Sequence, residues 1–123
     1  MATQYKIQIN QSVIQQDLPE LPEELQDDFV RYQQVLAIDP QVTRGIPSHG
    51  LTGKLANYRS IEVDWLGIAY RLVYRIYESP SPKRVLIVSF AEHDEAYERR
   101  KIENHRSSAM LRSPPSRITP PQE

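Results

Sequence analysis

The chain has 123 residues, a net charge of −1, 39% hydrophobic content and no cysteine. That length suits a single domain with a modest core, and the missing cysteine excludes a disulfide framework, a thiolate metal site and a cysteine nucleophile. No run approaches the ~20 apolar residues of a membrane helix, and the opening MATQYKIQIN lacks a basic segment followed by an apolar one, so the expected location is the cytoplasm.

Residues 5–9 alternate, with Tyr5, Ile7 and Ile9 on one face and Lys6 and Gln8 on the other, the period of a half-buried strand. Asn10 offers an N-cap to a short helix through Leu18, with Val13, Ile14 and Leu18 inward. Pro19 ends it, because a ring without an N–H cannot continue the ladder. Pro22 suits the first turn of a second helix, and Glu23 and Glu24 favour the positive end of its dipole. Leu25, Phe29, Tyr32 and Leu36 then make one apolar stripe. The helix stops near Asp39, since the residue before Pro40 avoids the helical region. Residues 40–57 hold three glycines and two prolines and read as a long loop pinned by Leu51 and Leu55.

Three strands follow. Residues 58–65 place Ile61, Val63 and Trp65 on one face, and Gly67 marks a turn. Residues 68–78 form the strongest strand, with Tyr70, Leu72, Tyr74 and Ile76 on one face. The SPSP of 79–82 is a turn, and residues 85–90 are continuously apolar, as a strand covered on both sides requires. A last helix is expected over 94–101. Beyond it SSAMLRSPPSRITPPQE, with four prolines and little to bury, reads as disordered. The domain is therefore drawn over 1–102 and the tail over 103–123. The order is β-α-α-β-β-β-α, an α+β fold with a helical hairpin packed on one face of a small, mostly antiparallel sheet. The other face is left for a partner or substrate.

Candidates for chemistry come from alternation. If Leu72, Tyr74 and Ile76 face the core, Arg71, Val73 and Arg75 face away from it. An outward guanidinium is well placed for a phosphate, although a solvated strand arginine looks the same. In FAEHDEAY, residues 90–97, the last strand becomes a helix. His93 there suits proton transfer near neutral pH, while the plainer reading makes Asp94 an N-cap and Tyr97 a packing residue. GLTGKL at 50–55 lacks the full phosphate-loop pattern, and the histidines at 49, 93 and 105 have no metal-ligand spacing. Charge is uneven: residues 1–50 carry three Lys/Arg against seven Asp/Glu, and residues 51–101 carry nine against seven. A basic patch is thus permitted in the second half of the chain.

The segment LTGKLANYRSIEVDWLGIAYRLVYRIYE, followed by VLIVSFAEHDEAYER, resembles the RelE/ParE toxin superfamily. Members show a leucine–glycine lead-in, a strand, then YR-hydrophobic-hydrophobic-Y, and a strand ending in a basic or histidine-containing turn before a tyrosine. The opening YKIQINQSVIQQDLPELPEELQDDF is similar to the family's first strand and helical hairpin, so the likeness spans residues 5 to about 101. It implies a RelE/ParE-like toxin of a type II toxin–antitoxin system, with a cognate antitoxin as partner in a hetero-oligomer. It often implies cleavage of mRNA in the ribosomal A site.

Under that resemblance Arg71 matches the strand arginine that stabilises the phosphate. His93 stands where members place an arginine or histidine, and Tyr97 matches the C-terminal tyrosine that orients or stacks on a base. The strongest ribonucleases of the family carry lysines on the strand before the turn, where this chain has Ser60 and Glu62. Glu62 is then a candidate base. Lys54, Arg59 and Arg99 are lower-ranked phosphate contacts, although strict alternation puts Arg59 on the core side. The nucleophile would be the RNA's own 2′-hydroxyl, so no metal or cofactor is expected. Two rivals stand beside this reading: a gyrase-inhibiting toxin without enzymatic activity, and a toxin relic kept only as a protein-binding subunit.

Overall fold

The computed structural model describes residues 4–43, 46 and 48–111; the expectation for the chain's last twelve positions lies outside the described residues. Five strands form one sheet: β1 (Lys6–Ile9), β2 (Ser48–Gly50), β3 (Tyr58–Trp65), β4 (Ile68–Tyr77) and β5 (Arg84–Glu92), in the order β1-β5-β4-β3-β2. β1 runs parallel to β5 and every other pair is antiparallel. The helices α1 (Glu23–Ile38) and α2 (Glu95–Leu111) lie on opposite sides of it.

Alternation on β4 works as expected. Tyr70, Leu72 and Tyr74 meet the α1 stripe of Leu25, Phe29, Tyr32 and Leu36, all buried, with Ile76 at the margin. Phe90 closes this core against Phe29 and Tyr32, at ring-centroid distances of 5.6 and 6.0 Å. Each such side chain, fully buried, stabilises by about 1.5–3 kcal/mol. β5 carries Val88 as an extra residue opposite β4, where the register shifts between Val73 and Tyr74. That bulge resets the alternation, so Val85, Ile87 and then Phe90 all face α1. The β3–β4 turn is two residues, Leu66 and Gly67, at φ 52° and 81°. Positive φ at both positions matches the twist of the flanking strands.

Four expectations change. The loop 40–57 contains β2, an edge strand of three residues too short to show a period. The segment after Asn10 is a wide π-helical turn over Val13–Asp17 followed by a 3₁₀ turn over Leu18–Glu20. Its wider turn buries Val13 and Asp17 but leaves Ile14 51% exposed, where an α-helical phase would have turned it inward. The last helix runs to Leu111, ten residues past the expected 101, so the helix continues through the first part of the segment read as tail. Finally, the second sheet face is not open. α2 crosses it and seats Ile102 among Tyr58, Val73 and Val88, with Leu51, Leu55 and Leu86 around them. Ser60 and Ser89 bury hydroxyls under this helix without a hydrogen-bond partner, so that seat is less apolar than the α1 core.

Candidate active site

The chemistry gathers where β3, β4 and β5 meet the first turns of α2. Arg71 sits outward on β4 between Glu62 of β3 and Ala91 of β5. Its Nη2 donates to Glu62 Oε2 at 2.9 Å and its Nη1 to Glu98 Oε1 at 3.2 Å. The other Glu98 oxygen lies 3.0 Å from His93 Nδ1. Glu98 is 3% exposed at its side chain and Arg71 16%, so this is a nearly dry pair. A carboxylate beside Nδ1 holds the ring proton on that nitrogen and leaves Nε2 as the free position. Glu62 Oε2 also meets His49 Nε2 at 3.3 Å, which draws the edge strand β2 into the cluster.

The backbone explains these placements. Arg71 faces α2 by strand alternation. His93 is held by its N–H to Ala69 O at 2.8 Å, one residue past the end of β5. Asp94 then caps the helix, accepting from Tyr97 N at 3.1 Å. Glu98, one turn later, is aimed back at Arg71 and His93.

Tyr97 turns its hydroxyl away from Arg71. It donates to Asp17, which is buried in the π-helical turn. Asp17 also accepts from Phe90 N and Lys101 Nζ, each at 2.9 Å. Burial, and then the bond to Asp17, push the Tyr97 hydroxyl well above its ordinary value, so it acts as a donor rather than as a phenolate base. Beside it opens a cleft of about 570 Å³ whose walls include His93, Tyr70, Tyr97, Glu20, Glu92 and Asp94. Four carboxylates, those three and Asp17, against the one guanidinium of Arg100 make that cleft a poor place for a phosphate.

The remaining candidates are dispersed. Arg59 lies on the α1 side, as alternation required, and braces Tyr74 Oη, Gln41 O and Ser48 Oγ at 3.4, 3.1 and 3.3 Å. That brace removes it from the phosphate contacts. Arg99 is exposed on α2, and the side chain of Lys54 lies outside the described residues. Sequence reading missed Glu98, Asp17, Lys101 and His49. Glu98 looks like any solvated helix residue, and only the four-residue step to Ile102 hints at an inward face. Among the described residues no three His, Asp or Glu side chains gather to hold a metal ion, and no helix is long and apolar enough to cross a membrane.

A YoeB/ParE toxin from Agrobacterium tumefaciens superposes with a TM-score of 0.59 at 19% identity, over 72% of this chain and 99% of that one. This chain has the RelE/ParE toxin fold. No protein-family profile and no curated protein sequence matches it. On the RelE/ParE fold, then, an outward strand arginine and the histidine after the last strand stand together around one carboxylate. After Tyr58, the β3 positions on the α2 face are the buried Ser60 and then Glu62, neither of them a lysine.

Proposed function

We propose that this chain is the toxin of a type II toxin–antitoxin pair and cleaves mRNA in the ribosomal A site. One observation carries the reading: a buried carboxylate, Glu98, spans Arg71 and His93 as a phosphate would. Its two oxygens take a guanidinium on one side and an imidazole on the other. Those are the two groups that phosphodiester cleavage needs, positive charge at the phosphate and a proton carrier beside it.

In the proposed reaction the ribose 2′-oxygen attacks phosphorus and the P–O5′ bond breaks, leaving a 2′,3′-cyclic phosphate and a free 5′-hydroxyl. Arg71 holds the negative oxygens. His93 and Glu62 divide the proton transfers: one takes the 2′-hydroxyl proton and the other gives a proton to the leaving 5′-oxygen. Tyr97 acts one step removed, by anchoring α2 and so the His93 turn. For RNA to reach Arg71, Glu98 has to leave it. The helix that carries Glu98 is seated on a partly polar face, with Ile102 as its buried apolar contact. The antitoxin blocks the same ground, either by covering Arg71 and His93 or by displacing α2 near Tyr97.

Primer extension on mRNA after induced expression tests this. Ribosome-phased cuts are expected from the wild type and not from Arg71→Ala, whose loss removes one charge-stabilising donor, worth about 10²–10³ in rate. The gyrase-inhibitor reading draws on Ser60 and Glu62 in place of lysines, and it predicts DNA damage without mRNA cuts. Neither effect would leave a protein-binding relic.

A further inference from the structure

The far end of the α2-side face carries a second cluster that the proposed chemistry does not use. Arg75 lies four residues beyond Arg71 on β4, on the same face. Arg84 of β5 pairs with Tyr77 of β4 on one side and with Lys6 of β1 on the other. Three cations thus stand on three adjacent strands. Lys6 and Arg84 are directly opposite one another, an arrangement of like charges that destabilises a sheet. Among the described residues none of the three has a carboxylate within ion-pair distance, whereas Arg71 has two. Glu78, next to Tyr77, is turned to Tyr5 and Lys83 on the opposite face.

What holds the two arginines is a ring. The Arg84 guanidinium lies 4.3 Å and the Arg75 guanidinium 4.8 Å from the Tyr77 ring centre, and Arg75 also lies 5.6 Å from that of Tyr58. Contact with a ring face restrains a guanidinium without using up its N–H donors as a carboxylate would. Two pre-oriented forks and a nearby ammonium form a receptor for phosphate oxygens, and a repulsive cluster of this kind does nothing for the stability of the sheet.

We infer that Lys6, Arg75 and Arg84 form a second phosphate-binding surface, which holds the backbone of a single-stranded RNA whose scissile phosphate goes to Arg71. The choice of RNA as the polyanion rests on the ribonuclease reading. Strand rise puts Arg75 about 13 Å from Arg71, a few nucleotides of extended strand, with Ile102 of α2 seated between them on Val73. An acidic protein segment is the competing occupant; three cations spread over three adjacent strands match the evenly spaced charges of a phosphate backbone.

The test is the salt dependence of binding, by fluorescence anisotropy, of a 2′-O-methyl strand of about 12 nucleotides, within the usual span of single-strand sites. Such a strand cannot undergo 2′-oxygen attack, so binding is read apart from cleavage. The variant Lys6→Gln/Arg75→Gln/Arg84→Gln should lower the slope of log K against log salt by about 2, as three lost phosphate contacts at about 0.7 each require. An Arg75→Lys/Arg84→Lys variant keeps the slope while losing affinity, and guards against misfolding of the triple variant. An unchanged slope in the folded triple variant overturns the inference. So does a loss of antitoxin binding with RNA binding intact, or a loss seen only with ribosomes and not with the free strand. Failure of the ribonuclease reading looks different: no mRNA cuts in the cell, yet the same slope change with the free strand.

Discussion

The two ends of the α2-side face use the same residue type in opposite ways. At one end Arg71 is enclosed by Glu62 and Glu98; at the other Arg75 and Arg84 share a tyrosine ring and meet no carboxylate among the described residues. Burial explains the difference. Arg71 is nearly dry, and an unpaired charge there would cost several kcal/mol, so the fold supplies carboxylates. Arg75 and Arg84 are only half-buried and keep enough water to remain unpaired. The consequence is functional. The far end offers its charge to an anion at all times, while the near end offers it only after Glu98 withdraws. A polyanion would thus dock first where no carboxylate competes.

The sharpest break between the two ends is catalytic. His93→Gln should slow single-turnover cleavage on programmed ribosomes about 10²–10⁴-fold, the usual contribution of general acid–base catalysis, with the rate normalised to folded protein. Lys6→Gln, at the far end, should leave that rate unchanged once RNA is saturating. Equal rates for His93→Gln and wild type would remove His93 from the mechanism and leave Glu62 as the remaining candidate.

Stability should divide along the same line. Asp17 is buried and receives Lys101, Tyr97 and the Phe90 amide, so Asp17→Ala leaves a buried ammonium with the Tyr97 hydroxyl, at 3.2 Å, but without its carboxylate. Breaking such a pair costs about 3–5 kcal/mol, read by urea unfolding. Lys6→Ala, in contrast, at an exposed position of the far end, should fall within about 0.5 kcal/mol of wild type, as exposed substitutions do. A mild Asp17→Ala would mean that α2 is held by Ile102 and not by the polar latch.

How much of this was legible beforehand follows from the same physics. The α1 stripe and the β4 alternation were readable because large apolar residues must share a face, and both are in place. The outward placement of Arg71 was readable by alternation, and that of His93 by its position after an apolar strand. The partners that give these residues their geometry were not. Glu98 and Lys101 lie on a helix whose polar composition shows no apolar stripe, so its continuation to Leu111 and its seat on the sheet left no period in the sequence. Asp17 was hidden by the π-helical turn, which rotates the phase that an α-helix would have shown. His49 came to the site through a strand of three residues. Ionic contacts between distant segments carry no sequence period.

Glu98 gives a smaller and more pointed test of the near end. A like charge at about 4 Å opposes an anion by about 1 kcal/mol even in water, and by more where water is scarce. Glu98→Gln should therefore raise the affinity of inorganic phosphate for Arg71 by about tenfold, followed by NMR of the Arg71 side chain. Resonances of Arg75 and Arg84 should titrate as in the wild type. If both ends respond alike, Glu98 is not what separates them.

The smallest effect concerns the latch that keeps Glu98 in place, and here the sign follows from proton binding. The Tyr97 hydroxyl is raised above its ordinary value, first by burial and then by its bond to Asp17, so the folded chain holds that proton more tightly than the unfolded one. The stabilisation is whole below the unfolded value of about 10. It fades as pH rises through the folded value, because only the unfolded state gains by ionising. Tyr5, raised to about 12 by burial and by its bond to Glu78, adds a similar alkaline loss that is independent of α2. Melting temperatures above about pH 10 should therefore fall for both wild type and Tyr97→Phe, but less steeply for the variant. Identical slopes would show that the Tyr97 hydroxyl does not hold α2. In that case Asp17–Lys101 alone would keep Glu98 on Arg71, and the near end would stay closed at alkaline pH while the far end still bound phosphate.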